Sequence, residues 1–337
     1  MYEKIHNNLP DVKNILIRLP NWLGDMVMAT SFVKAVKNEY PQATIDFIVK
    51  KGLDSLLDFF PTHQHRFIFC KEKFKGLRGA HVFGLTVKAH KKYDVFFCLP
   101  DSLSATVMAN AIHAKKSIGF KKSVHHIFFT KGYVRKKNVH RVEEFIDLLS
   151  QFAKKNISTP SVQLTPTHFQ KNNTIVININ SEAPSRRLPI LKAVAIINQI
   201  QKNCSLQILL IGSAKEVPYV NTVFERLTNK NTVLNLAGKT NITQLVNIFA
   251  GCKAMLSTDS GPAHLCNALG TTTMVLFGAG NQKNTAPYNS ASLNILRLNK
   301  LPCEPCLKNE CKIYPEPECL LQLSNSLIAN QLLSMIN

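Results

Sequence analysis

A chain of 337 residues is long enough for two domains at roughly 150 residues each, and 45% hydrophobic content gives each a core, which excludes a disordered chain. Forty-one Lys and Arg against 21 Asp and Glu leave a formal net charge of +20, an attraction to something anionic: nucleic acid, an acidic membrane face or a phosphorylated substrate. No run reaches the roughly 18 apolar residues of a membrane span and residues 1–10 lack a secretory profile, so a cytosolic chain, peripheral to a membrane, is expected.

In chain order, the apolar run 14–19 stops at Pro20, and a helical pattern through Met26, Ala29, Phe32, Val33 and Val36 follows. The connecting loop holds Trp22, Gly24 and Asp25. Asp25, where a strand hands over to a helix, can cap that helix or serve as a base facing a ligand. Trp22, the only tryptophan, and Gly24 can pack or admit a close neighbour. Strand-like runs 44–49 and 93–99 come next, the latter ending at Pro100. Repeated βα units imply a parallel sheet covered on both faces.

The basic excess lies in this half: 27 bases and 13 acids up to Lys171, 14 and 8 beyond it, so +14 and +6. Between Asp101 and Glu143 there is no acid, while Lys115, Lys116, Lys121, Lys122, Lys131, Arg135, Lys136, Lys137 and Arg141 accumulate. Such a run is a solvated face or an anion-binding one, and its alternation with apolar residues implies folded structure beneath it.

Residues 159–173, rich in Pro, Thr, Gln and Asn, read as a linker. Strand-like runs then recur at 174–178, 206–211, 254–257 and 273–277, with helical stretches at 190–201, 242–249 and 326–336. Two doubly wound Rossmann-like domains facing a central cleft are expected, 1–165 and 172–325, with 326–337 as a C-terminal helix packing back and ligands at the carboxyl ends of the strands.

Three loops of the second series carry donors for phosphate. Asp259, Ser260, Gly261, Pro262, Ala263 and His264 pass from strand to helix, with Pro262 suited to a first turn and either Asp259 or Ser260 to a cap, so the helix N-terminus makes an anion site. Asp259 beside a diphosphate would repel it unless it caps the helix or meets sugar hydroxyls. His264 is either a packed helix histidine or a base. Gly212, Ser213, Lys215 and Glu216 follow another strand, and Arg186 with Arg187 precede a helix, as a bidentate phosphate pair or a surface ion-pair site. Cys303, Cys306, Cys311 and Cys319 form a C-x2-C-x4-C-x7-C run that lacks two matched knuckles, so packed thiols are expected ahead of zinc.

With these loops assembled, the chain resembles the ADP-heptose:lipopolysaccharide heptosyltransferases (glycosyltransferase family 9), the heptosyltransferase II branch more than the first. The motifs are RLPNWLGDMVMATSFVKAVKNEYPQATIDFIV, LAGKT, STDSGPAHLCNALGTTTMVLFGAG and the terminal cysteine pattern. The resemblance implies a GT-B fold, an acceptor-binding N-terminal half and a donor-binding C-terminal half. It implies an inverting, metal-independent transfer with no cofactor, using ADP-heptose as donor and the lipid A–core saccharide as acceptor at the cytoplasmic face of an anionic inner membrane. Carried over by position, Asp25 matches the general base, Arg186 the donor-diphosphate contact, and Asp259 to His264 the donor loop, with Ser213, Lys215 and Glu216 beside it. Trp22, Gly24, Ser102, Lys121 and Lys122 are the expected acceptor contacts. Departures are Asn178-Ile179-Asn180, where the family has a glycine-containing strand end, Arg186-Arg187-Leu188-Pro189 for its Lys-Arg-Trp-Pro, and Ser104 for a basic residue. The rival readings are another nucleotide-sugar or acceptor within the same family and, from charge alone, nucleic-acid binding. No helix-turn-helix, finger or RNA-binding signature supports the last.

Overall fold

The computed structural model describes residues 12–121 and 128–336. The chain folds as two units: residues up to Asn21 with Ala29–Pro160, and Trp22–Met28 with Ser161–Asn337.

In the first unit β1 (Asn14–Arg18) leads into α1 (Leu23–Glu39), then β2 (Thr44–Lys50), β3 (Arg66–Phe69), α2 (Gly76–His90), β4 (Val95–Cys98), α3 (Leu103–Ile112), β5 (Lys116–Phe120), β6 (Lys131–Tyr133) and α4 (Arg141–Ala153). The strands pair in parallel in the order β3-β2-β1-β4-β5-β6. The central strands are apolar runs without alternation because helices bury both faces. Ile15, Leu16 and Ile17 are fully buried, and Phe97 of β4 meets Phe32 edge-on at 5.3 Å and Phe152 at 5.4 Å. On the other face Phe96, Phe69, Phe83 and Met108 form a second cluster under α2 and α3.

The second unit repeats the plan. Its elements are β7 (Thr174–Asn178), α5 (Ile190–Asn203), β8 (Gln207–Leu210), α6 (Val217–Glu225), β9 (Val233–Asn235), α7 (Ile242–Gly251), β10 (Ala254–Thr258), α8 (Gly261–Ala268), β11 (Thr272–Phe277), α9 (Gln282–Thr285), β12 (Leu293–Arg297), α10 (Glu318–Leu321) and α11 (Asn325–Ser334). Its strand order is β12-β11-β10-β7-β8-β9, the same winding as the first sheet. Helix α11 joins the core of this unit, where Ile328, Ala329 and Leu332 are buried with Ile196, Ile197 and Ile200 of α5. The segment expected as a linker is anchored here too: the Leu164 amide donates to the Ala268 carbonyl at 3.0 Å, and Asn289 Nδ2 to the Val162 carbonyl at 2.8 Å.

This winding fixes where chemistry belongs. The strand order reverses between β1 and β4 in one unit and between β7 and β10 in the other, and loops leaving those strands diverge to opposite faces, opening a crevice at the carboxyl edge. Trp22, Gly24, Asp25 and Ser102 follow the first pair of strands, and Arg186 and Asp259 to His264 the second.

Candidate active site

Strand order β10-β7-β8 sets three of the expected donor loops side by side. They are tied together by side chains outside the expected site residues. Asn178 ends β7, and its Nδ2 donates to Ser260 Oγ at 2.8 Å and Ser257 Oγ at 3.2 Å. Asn180 Nδ2 donates to the Ile211 carbonyl at 3.0 Å, Ser181 Oγ to the Asp259 carbonyl at 3.2 Å, and Thr258 Oγ1 to the Asn180 carbonyl. The asparagines at the end of β7 thus brace the loops that follow β8 and β10. The sequence signal was there, two amides closing an otherwise apolar strand, and such groups are buried only when hydrogen-bonded; Asn178 is 3% and Asn180 1% exposed.

Asp259 does not cap α8. Ser260 holds the position before the helix, and its hydroxyl is turned back to the Thr258 carbonyl at 3.1 Å, leaving the first turn without a side-chain cap. Asp259, 4% exposed, lies with Oδ2 3.3 Å from Arg186 Nη1. Burial pushes its carboxyl up to about 6, against the pull of the Arg186 and Arg297 guanidiniums. Arg297 is fixed by the Gly280 carbonyl at 2.8 Å, the Gly278 carbonyl at 2.6 Å and Glu304 at 3.2 Å. Gly280 is obligatory: a Cβ there would stand 2.0 Å from Asp259 Oδ2. Asp259 Oδ2 and Arg186 Nε are both buried with no hydrogen bond among the described residues, which suits a cluster whose remaining partner is a ligand.

A folded-state pKa above the ordinary 3.8 means that the folded protein holds this proton more tightly than the unfolded chain. Stability relative to Asp259→Asn should therefore fall as pH rises from about 4 to about 6, and level off above. Thermal unfolding of the two proteins across that window checks the sign; a wild type that gains on the variant as pH rises would remove the burial argument.

The arginines do not act as a pair. Arg187 Nη2 donates to the Ser181 carbonyl at 3.1 Å, and its guanidinium lies 4.9 Å from the Tyr219 ring centre, a scaffold role, whereas Arg186 faces Asp259. In the loop after β8, the Ser213 amide donates to the Glu216 carboxylate at 2.7 Å, so Glu216 closes its own turn, while Lys215 and Ser213 are exposed.

The loop after β1 counts by its contacts with this second unit. Leu23 covers Gly261, and a Cβ on Gly24 would come within 2.8 Å of His264 Cδ2, so only glycine lets the backbone carrying Asp25 lie this close to α8. His264 is 6% exposed, packed there as a helix histidine. Asp25 is the third residue of α1, inside the helix instead of before it, where the dipole favours the carboxylate. Trp22 is 56% exposed, unlike a core residue.

In the first unit, Ser102 precedes α3, and its hydroxyl is 3.3 Å from that of Ser104. Lys121 is exposed, and Lys122 lies outside the described residues. The acid-free stretch is partly neutralised by its flanks: Arg135 pairs with Glu144 at 3.0 Å and Asp101 at 3.6 Å, Arg141 with Glu144 at 2.7 Å, and Lys115 with Asp94 at 2.8 Å. Cys303, Cys306, Cys311 and Cys319 line one small pocket with Ser185, Tyr314 and Glu318. All are free thiols, and burial pushes Cys319 up to about 11. Among the described residues no group of His, Cys, Asp and Glu is arranged to hold a metal ion.

Two doubly wound parallel sheets, with strand-to-helix loops at the switch point of the second and a carboxylate after the first strand of the other, are the architecture of a GT-B glycosyltransferase. Residues 86–315 match the family model Glycosyltransferase family 9 (heptosyltransferase); the chain belongs to that family and is a glycosyltransferase. It is 25% identical over 306 residues to lipooligosaccharide heptosyltransferase 2 of Campylobacter jejuni, covering 89% of this chain and 92% of that one. Among solved structures it is similar to ADP-heptose lps heptosyltransferase II of E. coli, with a TM-score of 0.80 at 21% identity over 96% of this chain and 98% of the other. It is also similar to E. coli heptosyltransferase WaaC with ADP, with a TM-score of 0.75 at 15% identity over 96% and 99%. Among the described residues no helix is long and apolar enough to cross a membrane.

Proposed function

We propose that the protein transfers heptose from ADP-L-glycero-D-manno-heptose to the inner core of lipopolysaccharide with inversion at the anomeric carbon, working from the cytoplasmic face of the inner membrane. The observation that carries this reading is the Arg186–Asp259 pair beside the uncapped first turn of α8, in a family whose solved relative is described with ADP. Asp25 takes the proton of an acceptor hydroxyl as that oxygen attacks the anomeric carbon, and the bond to the diphosphate breaks with its electrons leaving on ADP. Arg186 and the amides opening α8 meet that charge as it develops, which preorganised donors do without a metal. Arg297, through Gly278 and Gly280, holds the floor on which Asp259 rests. The basic first half supplies the acceptor contacts, with Trp22, Gly24, Ser102, Lys121 and Lys122 as candidates.

In vitro transfer from ADP-heptose to a series of truncated cores, read by mass, tests donor and acceptor together. A single heptose increment confined to one acceptor is the expected result. Thermal stabilisation by a UDP- or GDP-sugar and none by ADP-heptose would replace the donor.

A further inference from the structure

The outer face of α2 has no role in this chemistry and is anomalous for a helix in water. Ala80, Phe83, Gly84 and Val87 are buried against the sheet and α3, and a Cβ on Gly84 would stand 2.6 Å from that of Ala111, so the inner face is settled. At 100° per residue the opposite side is centred on Arg78, Leu85, Ala89 and Val82. Leu85 is 45% and Val82 46% exposed, and Leu77 near the helix start is 45% exposed. An apolar stripe on both sides of a helix calls for a second partner.

The surrounding charge says which kind. Residues 71–92 carry seven Lys and Arg against one acid, Glu72. Lys91 is engaged with Asp46 at 3.2 Å. Lys71, Lys73, Lys75, Arg78 and Lys88 are exposed, and the helix itself holds no acid. Val82, Leu85 and Ala89 share the outermost line with Arg78, and Lys88 lies to one side of it; exposed apolar side chains among long basic ones that can snorkel are the pattern of a helix lying in the plane of an anionic bilayer, its apolar groups among the acyl chains and its cations among the phosphates.

We propose that α2 is the membrane-docking element, seating the first unit on anionic lipid through Val82 and Leu85, with Arg78 and Lys88 on the headgroup phosphates. This deepens the reading above, since a lipid-anchored acceptor is reached from a surface, but the docking needs no substrate and is tested without one. The purified full chain is floated with vesicles of phosphatidylethanolamine and phosphatidylglycerol, and separately with phosphatidylcholine alone. Binding to the anionic vesicles only, weakened by salt, is expected. The double variant Val82→Gln/Leu85→Gln should reduce binding by roughly tenfold or more, and Arg78→Glu/Lys88→Glu should abolish the preference for anionic lipid. Both variants change exposed side chains, and an unchanged unfolding midpoint with unchanged transfer to a delipidated acceptor shows that fold and catalysis are intact.

Wild-type protein that ignores anionic vesicles, or variants that float as well as wild type, would overturn the proposal. So would lipid-independent self-association that the Gln variant abolishes, because the stripe would then cover a second copy. Failure of transfer to the delipidated acceptor by all proteins, with docking intact, would instead count against the heptosyl-transfer reading.

Discussion

Replacing Asp25 with Asn is expected to lower kcat by about 10²–10⁴-fold, the usual worth of a positioned general base, with donor binding nearly unchanged. The carboxylate is the third residue of α1, the helix that follows β1 where its sheet reverses order. Its neighbour Gly24 lies on His264 of α8, which fixes the backbone that carries Asp25 relative to the loop holding Asp259. Asn keeps the shape and a hydrogen-bonding oxygen in the first helical turn, so the stability cost should be about 1 kcal/mol or less. A base assignment predicts a split between constants: kcat falls, KM for the donor stays, and the acid limb of the kcat/KM profile disappears. ADP release gives the first two, and thermal shift with ADP-heptose gives binding. An Asn variant within about threefold of wild type would remove Asp25 from the mechanism, since that is about 0.6 kcal/mol of barrier.

How much of this was legible depended on how locally each feature is determined. The central strands β1, β4, β7 and β10 declare themselves as short apolar runs because both faces are buried. Strands β3, β5, β6, β9 and β12 carried no expectation. Four of them are the outer edges of the two sheets, and edges tolerate short, polar or basic sequences such as KGY and VLN. The strand-to-helix transitions at the expected donor loops were readable, and so were the two amides closing β7, but the hydrogen bonds by which they join the loops were not. Asn178 reaches Ser260 across 82 residues of sequence, and Arg297 shapes the field at Asp259 from β12, a strand the pattern does not reveal. The acid-free stretch was legible as a sum of charges, whereas its pairing with Asp94, Asp101 and Glu144 depends on β5, β6 and α4 coming together. Asp259 shows the same limit: spacing offered a cap, and only the fold places Ser260 at that position and turns Asp259 under Gly280 against Arg186.

Removing Arg186 should separate its ion pair with Asp259 from the diphosphate contact proposed for it. In Arg186→Ala the Asp259 carboxylate, 4% exposed, loses its nearest cation. Breaking a fully buried pair costs about 3–5 kcal/mol, and because the Arg186 side chain is 29% exposed the expected loss at neutral pH is smaller, on the order of 2 kcal/mol. Donor affinity should fall about 10–100-fold as a charge-assisted contact to diphosphate is lost. The double variant Arg186→Ala/Asp259→Asn distinguishes the causes. Neutralising the stranded carboxylate should recover most of the stability, because the penalty belongs to the unpaired charge, and the coupling measured in the cycle is the worth of the pair. Donor affinity should stay low, because the phosphate contact is still missing. Stability that does not recover would mean that Arg297 alone compensates Asp259 and that Arg186 is needed for packing. Affinity that recovers with the carboxylate gone would make Arg186 a mere shield between Asp259 and the diphosphate, with the amides opening α8 left to hold the donor.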